Sequence, residues 1–419
     1  MKPVFKRRSL PGFAFKAMAL LLPMARAYAA PPVPSAPALT LSAYAQPAQL
    51  VTLPGGRRLN IRCTGQTSPT IILTAGAGDQ SLSWRAIQGA LSGTARVCAW
   101  DRPGFGFSDP STTAQDVVHL TDNLEAALAA ATIRPPYVLV GHSLGSFETL
   151  MFAFRHPHDI AGMVLIDPAG PFQDERFKRA APATYAAIDA FQTRQIEHLK
   201  RCIREMEKKQ PTSDAARAGD DCVMTPEKEY PSDLNRALIR IDSKVANKKD
   251  FLSLLTNMTS GLDSRELKRA WHPLGNIPLI VLTAGEPPPI PLTGAAKAQM
   301  PALQAEWARM HDEMGRLSTQ GSNRVVPDAT HYIHQDRPQV VVDAINEVIS
   351  AARKREGSPE RVPKASRRTA LQRRLLCRFI VGASAILFSP CTSAAEPRSI
   401  GSQSLEVGGH ALHFRVFPG

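Results

Sequence analysis

Ser143 is the residue whose surroundings most clearly indicate chemistry. It lies in Gly141-His142-Ser143-Leu144-Gly145, after the apolar run Tyr137-Val138-Leu139-Val140 and before a helical pattern that extends from Phe147 to Phe154. A strand that turns sharply into a helix lifts the serine hydroxyl above the sheet, and the two glycines leave space where a Cβ would collide with neighbouring elements. The five-residue pattern alone recurs in unrelated proteins. The flanking strand and helix are what predict a nucleophile at Ser143.

Alternating strands and helices must position this turn. Further apolar strands are predicted at Thr70 to Thr74, Ala95 to Trp100, Met163 to Asp167 and Ile277 to Thr283, and a later helix is predicted from Pro301 to Leu317. This alternation predicts an α/β fold with a mostly parallel central sheet covered by helices on both faces.

The region from about residue 169 to residue 271 has a different character. It is charged and helical and contains no strong strand pattern, although it lies between two core strands. We expect it to be a helical lid inserted over the site of Ser143. The alternative is a surface insertion that makes no contact with substrate.

Four segments resemble the α/β-hydrolase superfamily, and in particular its small serine hydrolases of the esterase and lipase type. They are residues 71–78, the stretch Trp100-Asp101-Arg102-Pro103-Gly104-Phe105-Gly106-Phe107-Ser108, the turn at Ser143, and Asp328-Ala329-Thr330-His331-Tyr332-Ile333. Together they extend over about residues 51–352. The resemblance implies an α/β-hydrolase fold and a Ser-His-acid catalytic triad.

The resemblance places the catalytic base last in chain order, after the final strand, and His331 occupies that position. His334 follows one helical turn later, where a surface residue is expected. The acid remains open between two carboxylates. Glu286 follows the strand that ends near Thr283, at the commonest superfamily position, whereas Asp167 ends the preceding strand, at the strand edge where sites in open α/β sheets form.

The resemblance also implies an oxyanion hole made by the backbone N–H groups of Leu144 and Ala77. Ala77 lies in the small-residue loop after the strand Thr70 to Thr74. The segment from Asp101 to Gly104 resembles a structural turn of the family, and His142 is expected to support the site without reacting. Serine at the turn argues against the dehalogenase and epoxide-hydrolase branches, which carry aspartate there.

These residues predict a serine hydrolase that cleaves a small-molecule carboxylic ester through an acyl-enzyme, with no cofactor. One alternative is a peptidase that removes N-terminal residues, which would need acids such as Glu175 or Glu205 to bind the substrate amine. A second alternative is a non-catalytic binding protein that retains the fold.

The distribution of charge argues against a nucleic-acid partner. The chain of 419 residues carries a net charge of +13, but residues 1–29 account for +6 and residues 353–378 for +8, so the remainder is near neutral. Residues 1–29 have the basic start, short apolar run and small-residue end of a signal peptide, which predicts an exported protein, periplasmic or secreted. Residues 30–50 are rich in proline and alanine and are expected to form a linker.

The region after residue 352 repeats features of the beginning of the chain. Residues 353–378 form a basic linker. Its end, from Arg367 to Arg378, the apolar run from Phe379 to Phe388 and the small residues 391–395 again have the order of a signal peptide. Residues 405–415 resemble the hairpin sequence of residues 51–62. We interpret this tail as the truncated start of a second, similar hydrolase and expect it to be poorly ordered. Its apolar run is short for a stable membrane span.

Six cysteines in an exported chain permit disulfides. Cys202 and Cys222 flank a polar stretch that a bridge would hold together. In the fold that the chain resembles, the strands of Cys63 and Cys98 are neighbours, which implies a second bridge; the alternative is that all six are free thiols. No C-x-x-C or histidine-rich spacing is present, which disfavours zinc.

Overall fold

The computed structural model describes residues 39–208, 221–287, 292–357, 403–407 and 410–414. The larger of two compact units ends at Ser358 and contains an eight-stranded sheet in the order β1-β2-β4-β3-β5-β6-β7-β8. The strands are β1 Gln49–Thr52, β2 Arg58–Thr64, β3 Thr70–Thr74, β4 Arg96–Trp100, β5 Tyr137–His142, β6 Ile160–Ile166, β7 Leu279–Ala284 and β8 Gly321–Val326. β1 and β2 pair antiparallel and β2 pairs antiparallel with β4, whereas every pair from β4 to β8 is parallel. The predicted α/β fold is confirmed.

Helices cover both faces of this sheet. They are α1 Arg85–Leu91, α2 Val117–Ala130, α3 Gly145–Arg155, α4 Gln173–Ala180, α5 Pro182–Lys208, α6 Ser232–Asp242, α7 Val245–Thr259, α8 Leu262–Ala270, α9 Gly294–Gly315, α10 Ile333–Asp336 and α11 Pro338–Gly357. One apolar layer includes residues of α2, α3, α8 and α9, and the other includes residues of α1, α10 and α11. The two layers bury every residue of the central strands β3, β5 and β6, which explains the near-continuous apolar sequences of these strands.

Successive side chains of β5 pack alternately into the two apolar layers. Leu139 packs with the layer of α2 and α3, whereas Val138 and Val140 pack with the layer of α1 and α11. All six residues of β5 are buried. The strand is therefore held from both sides up to His142, immediately before Ser143.

A helical insertion separates β6 from β7, as the sequence predicts. It consists of α4, α5, α6, α7 and α8, and its 27-residue helix α5 is its longest described element. A disulfide between Cys202 on α5 and Cys222 joins the two sides of the segment that precedes α6. A second disulfide, Cys63–Cys98, joins β2 to β4 at directly paired positions.

Two helix boundaries differ from the prediction. Helix α9 begins at Gly294 rather than at Pro301, which lies inside it. Proline favours the first turn of a helix, but residues 295–299 are mostly strong helix formers, and they extend the helix in front of the proline. Helix α11 continues to Gly357, five residues beyond the predicted end of the domain.

The second compact unit begins at Pro359, and its described part is one antiparallel hairpin. Its strands are β9 Gln403–Val407 and β10 His410–Phe414, which overlap the segment 405–415 that is predicted to repeat an earlier hairpin. The predicted signal peptide, the first part of the linker and most of the basic linker lie outside the described residues. Among the helices that the structure describes, none has both the length and the apolar character needed to cross a membrane.

Candidate active site

Ser143 occupies the turn between β5 and α3, and its backbone is in the left-handed region with φ of 50°. Such a conformation is strained for a residue with a side chain and is found where surrounding structure enforces it. Here the N–H of Ser143 donates to Ile166 O at 3.0 Å, and its carbonyl accepts from the N–H groups of Ser146 and Ala169. A Cβ at Gly145 would lie 2.4 Å from Ala75 O, so that position requires glycine.

His331 follows β8, and Asp167 follows β6. His331 Nδ1 lies 2.6 Å from Asp167 Oδ2, and Asp167 is 4% exposed. Glu286, the other candidate acid, is exposed, although its side chain lines the same cavity as Ser143. The structure therefore brings Asp167, rather than Glu286, to the ring of His331.

Asp167 is held by three donors. Its Oδ1 accepts from the N–H of Ala284 at 2.9 Å and from the indole Nε1–H of Trp307 at 2.8 Å, while Oδ2 faces His331. Burial by itself would raise the pKa of Asp167, but the hydrogen bond and charge of His331 outweigh it and hold the pKa below its usual value. The carboxyl is therefore ionised at neutral pH and keeps Nδ1 of His331 protonated.

Of the two backbone donors named from the resemblance, Leu144 follows Ser143 directly and Ala77 lines the same cavity as Ser143. Leu144 begins the turn into α3, and Ala77 lies in the loop that follows β3. Within the described ranges of the chain, neither N–H donates to a protein acceptor. Both N–H groups therefore remain available to a substrate oxygen.

His142 supports the backbone of His331. His142 Nε2 lies 2.9 Å from the carbonyl oxygen of His331, and because a carbonyl can only accept, Nε2 must carry the proton. Burial and the adjacent His334 and His331 hold the pKa of His142 well below its usual value, so the ring is neutral. His142 is 1% exposed, and the supporting role expected of it stays a prediction.

His334 is not the surface residue that the sequence predicts. It is fully buried, with its ring centre 4.7 Å from that of Trp84 and 4.5 Å from that of His142. The short helix α10 turns this side chain inward, and burial lowers its pKa to about 3. It is therefore a neutral core residue behind His331 and His142.

Two adjoining cavities meet at the site. The small lobe, of about 300 Å³, is lined by Ser143, Asp167 and His331, and the large lobe, of about 690 Å³, extends beneath the helical insertion. Four residues line both lobes: Ala77, Gln192, Met258 and His331. Because Gln192 and Met258 belong to α5 and α7, the insertion contributes directly to the space around Ser143.

The walls of the two lobes differ in chemistry. The large lobe is lined by many apolar side chains of the insertion: Phe191, Leu199, Met224, Leu238, Ile241, Phe251, Leu255 and Met258. The small lobe combines aromatic residues with the carboxylates of Asp174 and Glu286. Burial, together with Glu175 and Asp189, raises the pKa of Asp174 to about 6. Glu175 itself is exposed and lines an adjoining cavity of about 200 Å³, which shares five lining residues with the small lobe, among them Asp174. Glu205 lines none of these three cavities.

One group among the described residues has the spacing of metal ligands: Cys202, Asp221 and Cys222. The two sulfur atoms of this group are joined in a disulfide, so they offer no thiolate to a metal ion.

The sequence profile described as "Alpha/beta hydrolase family" matches residues 71–344, well over half of the chain. The chain belongs to the alpha/beta hydrolase family. The uncharacterized protein YqjL of Bacillus subtilis (strain 168) is 26% identical to it over 290 residues, which cover 69% of this chain and 86% of YqjL.

Solved structures resemble this alpha/beta hydrolase in fold. A "putative lipase (lip1)" from Acinetobacter baumannii AYE has a TM-score of 0.50 at 15% identity, over 75% of this chain and 95% of its own. A "putative ancestral haloalkane dehalogenase AncHLD2" has a TM-score of 0.52 at 15% identity, over 73% of this chain and all of its own. At such identities the likeness shows the fold alone. The reaction must therefore be argued from the site.

Trp307 was not found from the sequence of this alpha/beta hydrolase. It lies on α9 with His311 one turn later, and His311 Nε2 donates to Pro168 O at 2.9 Å. Trp307 contacts Asp167 and His311 contacts Pro168, although both residues lie about 140 positions further along the chain. A tryptophan and a histidine at helical spacing look the same in a sequence whether they fill a core or orient an acid.

Proposed function

We propose that this alpha/beta hydrolase is an exported serine hydrolase that cleaves a carboxylic ester through an acyl-enzyme. The observation that carries the proposal is the 2.6 Å pairing of His331 with Asp167 on the wall of the cavity that also contains Ser143. Serine on a strained turn, an imidazole held by a buried carboxylate and two free backbone donors form the combination that acyl transfer requires.

In the proposed mechanism, Ser143 Oγ attacks the ester carbonyl while His331 Nε2 accepts its proton. Asp167 keeps the other nitrogen, Nδ1, protonated and stabilises the imidazolium that forms. The N–H groups of Ala77 and Leu144 donate to the carbonyl oxygen as it becomes an anion. The imidazolium then protonates the leaving alcohol, and water hydrolyses the acyl-enzyme by the same route.

Export is part of the proposal and rests on two observations. Residues 1–29 have the pattern of a signal peptide, and the described part of the chain contains the disulfides Cys63–Cys98 and Cys202–Cys222. Disulfides form and persist in oxidising compartments such as the periplasm and the extracellular space.

The test is hydrolysis of p-nitrophenyl esters from acetate to palmitate by the purified protein, with Ser143→Ala as the variant and Ser350→Ala as its control. Ser350 is an exposed serine on α11. We expect turnover of at least one ester, loss of turnover in Ser143→Ala, unchanged turnover in the control, and a fluorophosphonate adduct on Ser143.

Two other outcomes would contradict the proposal. Equal rates in the wild type and Ser143→Ala on every ester would exclude the serine mechanism. Faster release from aminoacyl substrates than from acyl esters would favour a peptidase, for which Asp174 and Glu286 in the lining of the small lobe would be the candidate carboxylates for a substrate amine.

A further inference from the structure

Arg102 and Glu148 form an ion pair that is almost completely removed from solvent. Arg102 Nε lies 2.8 Å from Glu148 Oε1, and the two side chains are 2% and 1% exposed. Burying two charges is costly, and such a pair is weak evidence of stabilisation, because apolar side chains of similar volume often serve as well. The presence of this pair therefore needs an explanation other than stability.

The rest of the guanidinium holds the loop that carries Ala77. Arg102 Nη1 donates to Gly76 O at 3.0 Å, and Nη2 donates to Ala75 O at 2.5 Å. Glu148 lies on α3, the helix that begins directly after Leu144. One arginine thus joins the loop of one oxyanion donor to the helix of the other.

The contact with Gly76 O acts on the peptide unit that supplies the Ala77 N–H. The carbonyl of Gly76 and the N–H of Ala77 belong to the same planar peptide, which is trans, so they point in opposite directions. Fixing the oxygen on Arg102 therefore fixes the direction of the N–H. A cationic donor on the carbonyl also polarises the peptide and strengthens its N–H as a donor.

The surrounding packing shows how closely this loop must be positioned. A Cβ at Gly76 would lie 2.8 Å from His142 Nδ1 and 3.3 Å from the Cβ of Ser143. The loop therefore rests directly on the residue that reacts and on its neighbour. Rotation of the Gly76–Ala77 peptide would move the N–H away from the substrate oxygen without unfolding the chain.

We propose that Arg102 is a positioning residue that orients and polarises the Ala77 N–H of the oxyanion hole, and that Glu148 couples it to the helix that carries the Leu144 N–H. This inference rests on the serine-hydrolase function proposed above. It gives a catalytic reason for a segment that, in sequence, resembles only a structural turn.

The test compares Arg102→Met, the double variant Arg102→Met/Glu148→Met and the control Arg62→Met. Arg62 is another buried arginine, 7% exposed, which donates to a backbone carbonyl, Gln46 O, at 2.7 Å on β2. The double variant removes both charges together, which avoids an unpaired buried carboxylate and keeps the experiment interpretable if the single variant folds poorly. Readouts are the melting temperature, kcat, KM and the affinity for a trifluoromethyl ketone, which forms a tetrahedral adduct with serine.

We expect kcat to fall on the order of 10–100-fold in both Arg102 variants, with KM changed less than about threefold, because misplacing one oxyanion donor weakens only the transition state. Affinity for the trifluoromethyl ketone should fall by a similar factor. Arg62→Met should lose stability but keep kcat. A double variant with wild-type kcat, or one whose KM rises while kcat is unchanged, would overturn the inference.

The two proposals fail separately. Turnover that depends on Ser143 and is unaffected by Arg102→Met overturns the positioning role and leaves the hydrolase function intact. Turnover that is equal in wild type and Ser143→Ala overturns the function itself, whatever the Arg102 variants do.

Discussion

Replacing Asp167 with asparagine tests whether Asp167 is the acid of the proposed catalytic triad. The Oδ1 of Asp167 accepts two N–H groups, from Ala284 and Trp307, so the oxygen of an asparagine amide must take that place. Its NH₂ group then replaces Oδ2 and faces Nδ1 of His331 with a donor. The imidazole can satisfy that donor only by moving its proton to Nε2, which removes the lone pair that should accept the proton of Ser143.

This exchange of tautomer sets the size of the expected effect. Trapping the base in the wrong tautomer should lower kcat roughly 10³–10⁴-fold, which corresponds to about 4–5.5 kcal/mol of transition-state stabilisation. The side chain keeps its volume, so KM and the circular dichroism spectrum should change little. The control is Glu286→Gln, an exposed carboxylate on the same cavity, for which we expect a change of less than about threefold.

The assay is p-nitrophenyl butyrate hydrolysis by the two variants and the wild type between pH 6 and pH 9. A larger loss of kcat in Glu286→Gln than in Asp167→Asn would refute the assignment. So would an Asp167→Asn protein that is folded and retains more than about a tenth of wild-type kcat.

Three further predictions follow from the same contacts. Trp307→Phe removes one donor to Asp167 while keeping an aromatic ring, and we expect kcat to fall about tenfold and the melting temperature to decrease; an unchanged kcat would contradict an orienting role. Leu255→Trp should fill part of the large lobe and lower kcat/KM for palmitate relative to acetate about tenfold, whereas Val325→Trp, at a 56% exposed position, should leave the ratio unchanged. Burial raises the pKa of Asp263 to about 7, so between about pH 4 and pH 7 the folded chain keeps a proton that the unfolded chain releases, and stability falls as pH rises through that window. Relative to the wild type, the free energy of unfolding of Asp263→Asn, measured in urea, should therefore increase as pH rises from 4 to 8, by at most about 1.4 kcal/mol per unit of pKa difference. A difference between the two proteins that does not depend on pH would show that Asp263 does not titrate in this way.

Features encoded within a few neighbouring residues could be predicted from the sequence. The turn at Ser143 depends on a local order of strand, two glycines and helix, and the structure contains that turn. The α/β fold and the helical insertion follow from alternating periodicity, which is also local, and both are confirmed. The start of α9 was nevertheless predicted wrongly, at Pro301, because strong helix formers before the proline outweigh its preference for the first turn of a helix.

Contacts between distant segments could not be predicted in the same way. Asp167 and Glu286 each follow a strand, and β6 and β7 are neighbours in the sheet, so the sequence left both open as partners of His331. The surface position predicted for His334 was wrong, because a helix of four residues does not reveal which side packs against Trp84.

The sequence by itself determined the fold class, the family and a short set of candidate site residues. Only the tertiary structure decided which carboxylate meets His331, that Trp307 also holds that carboxylate, and that Arg102 joins the loop of Ala77 to α3. The physical reason is how far apart in the sequence the interacting groups lie. Turns and periodicity arise from interactions among residues close in the chain, whereas hydrogen bonds between groups 26 to 164 positions apart depend on how whole strands and helices pack.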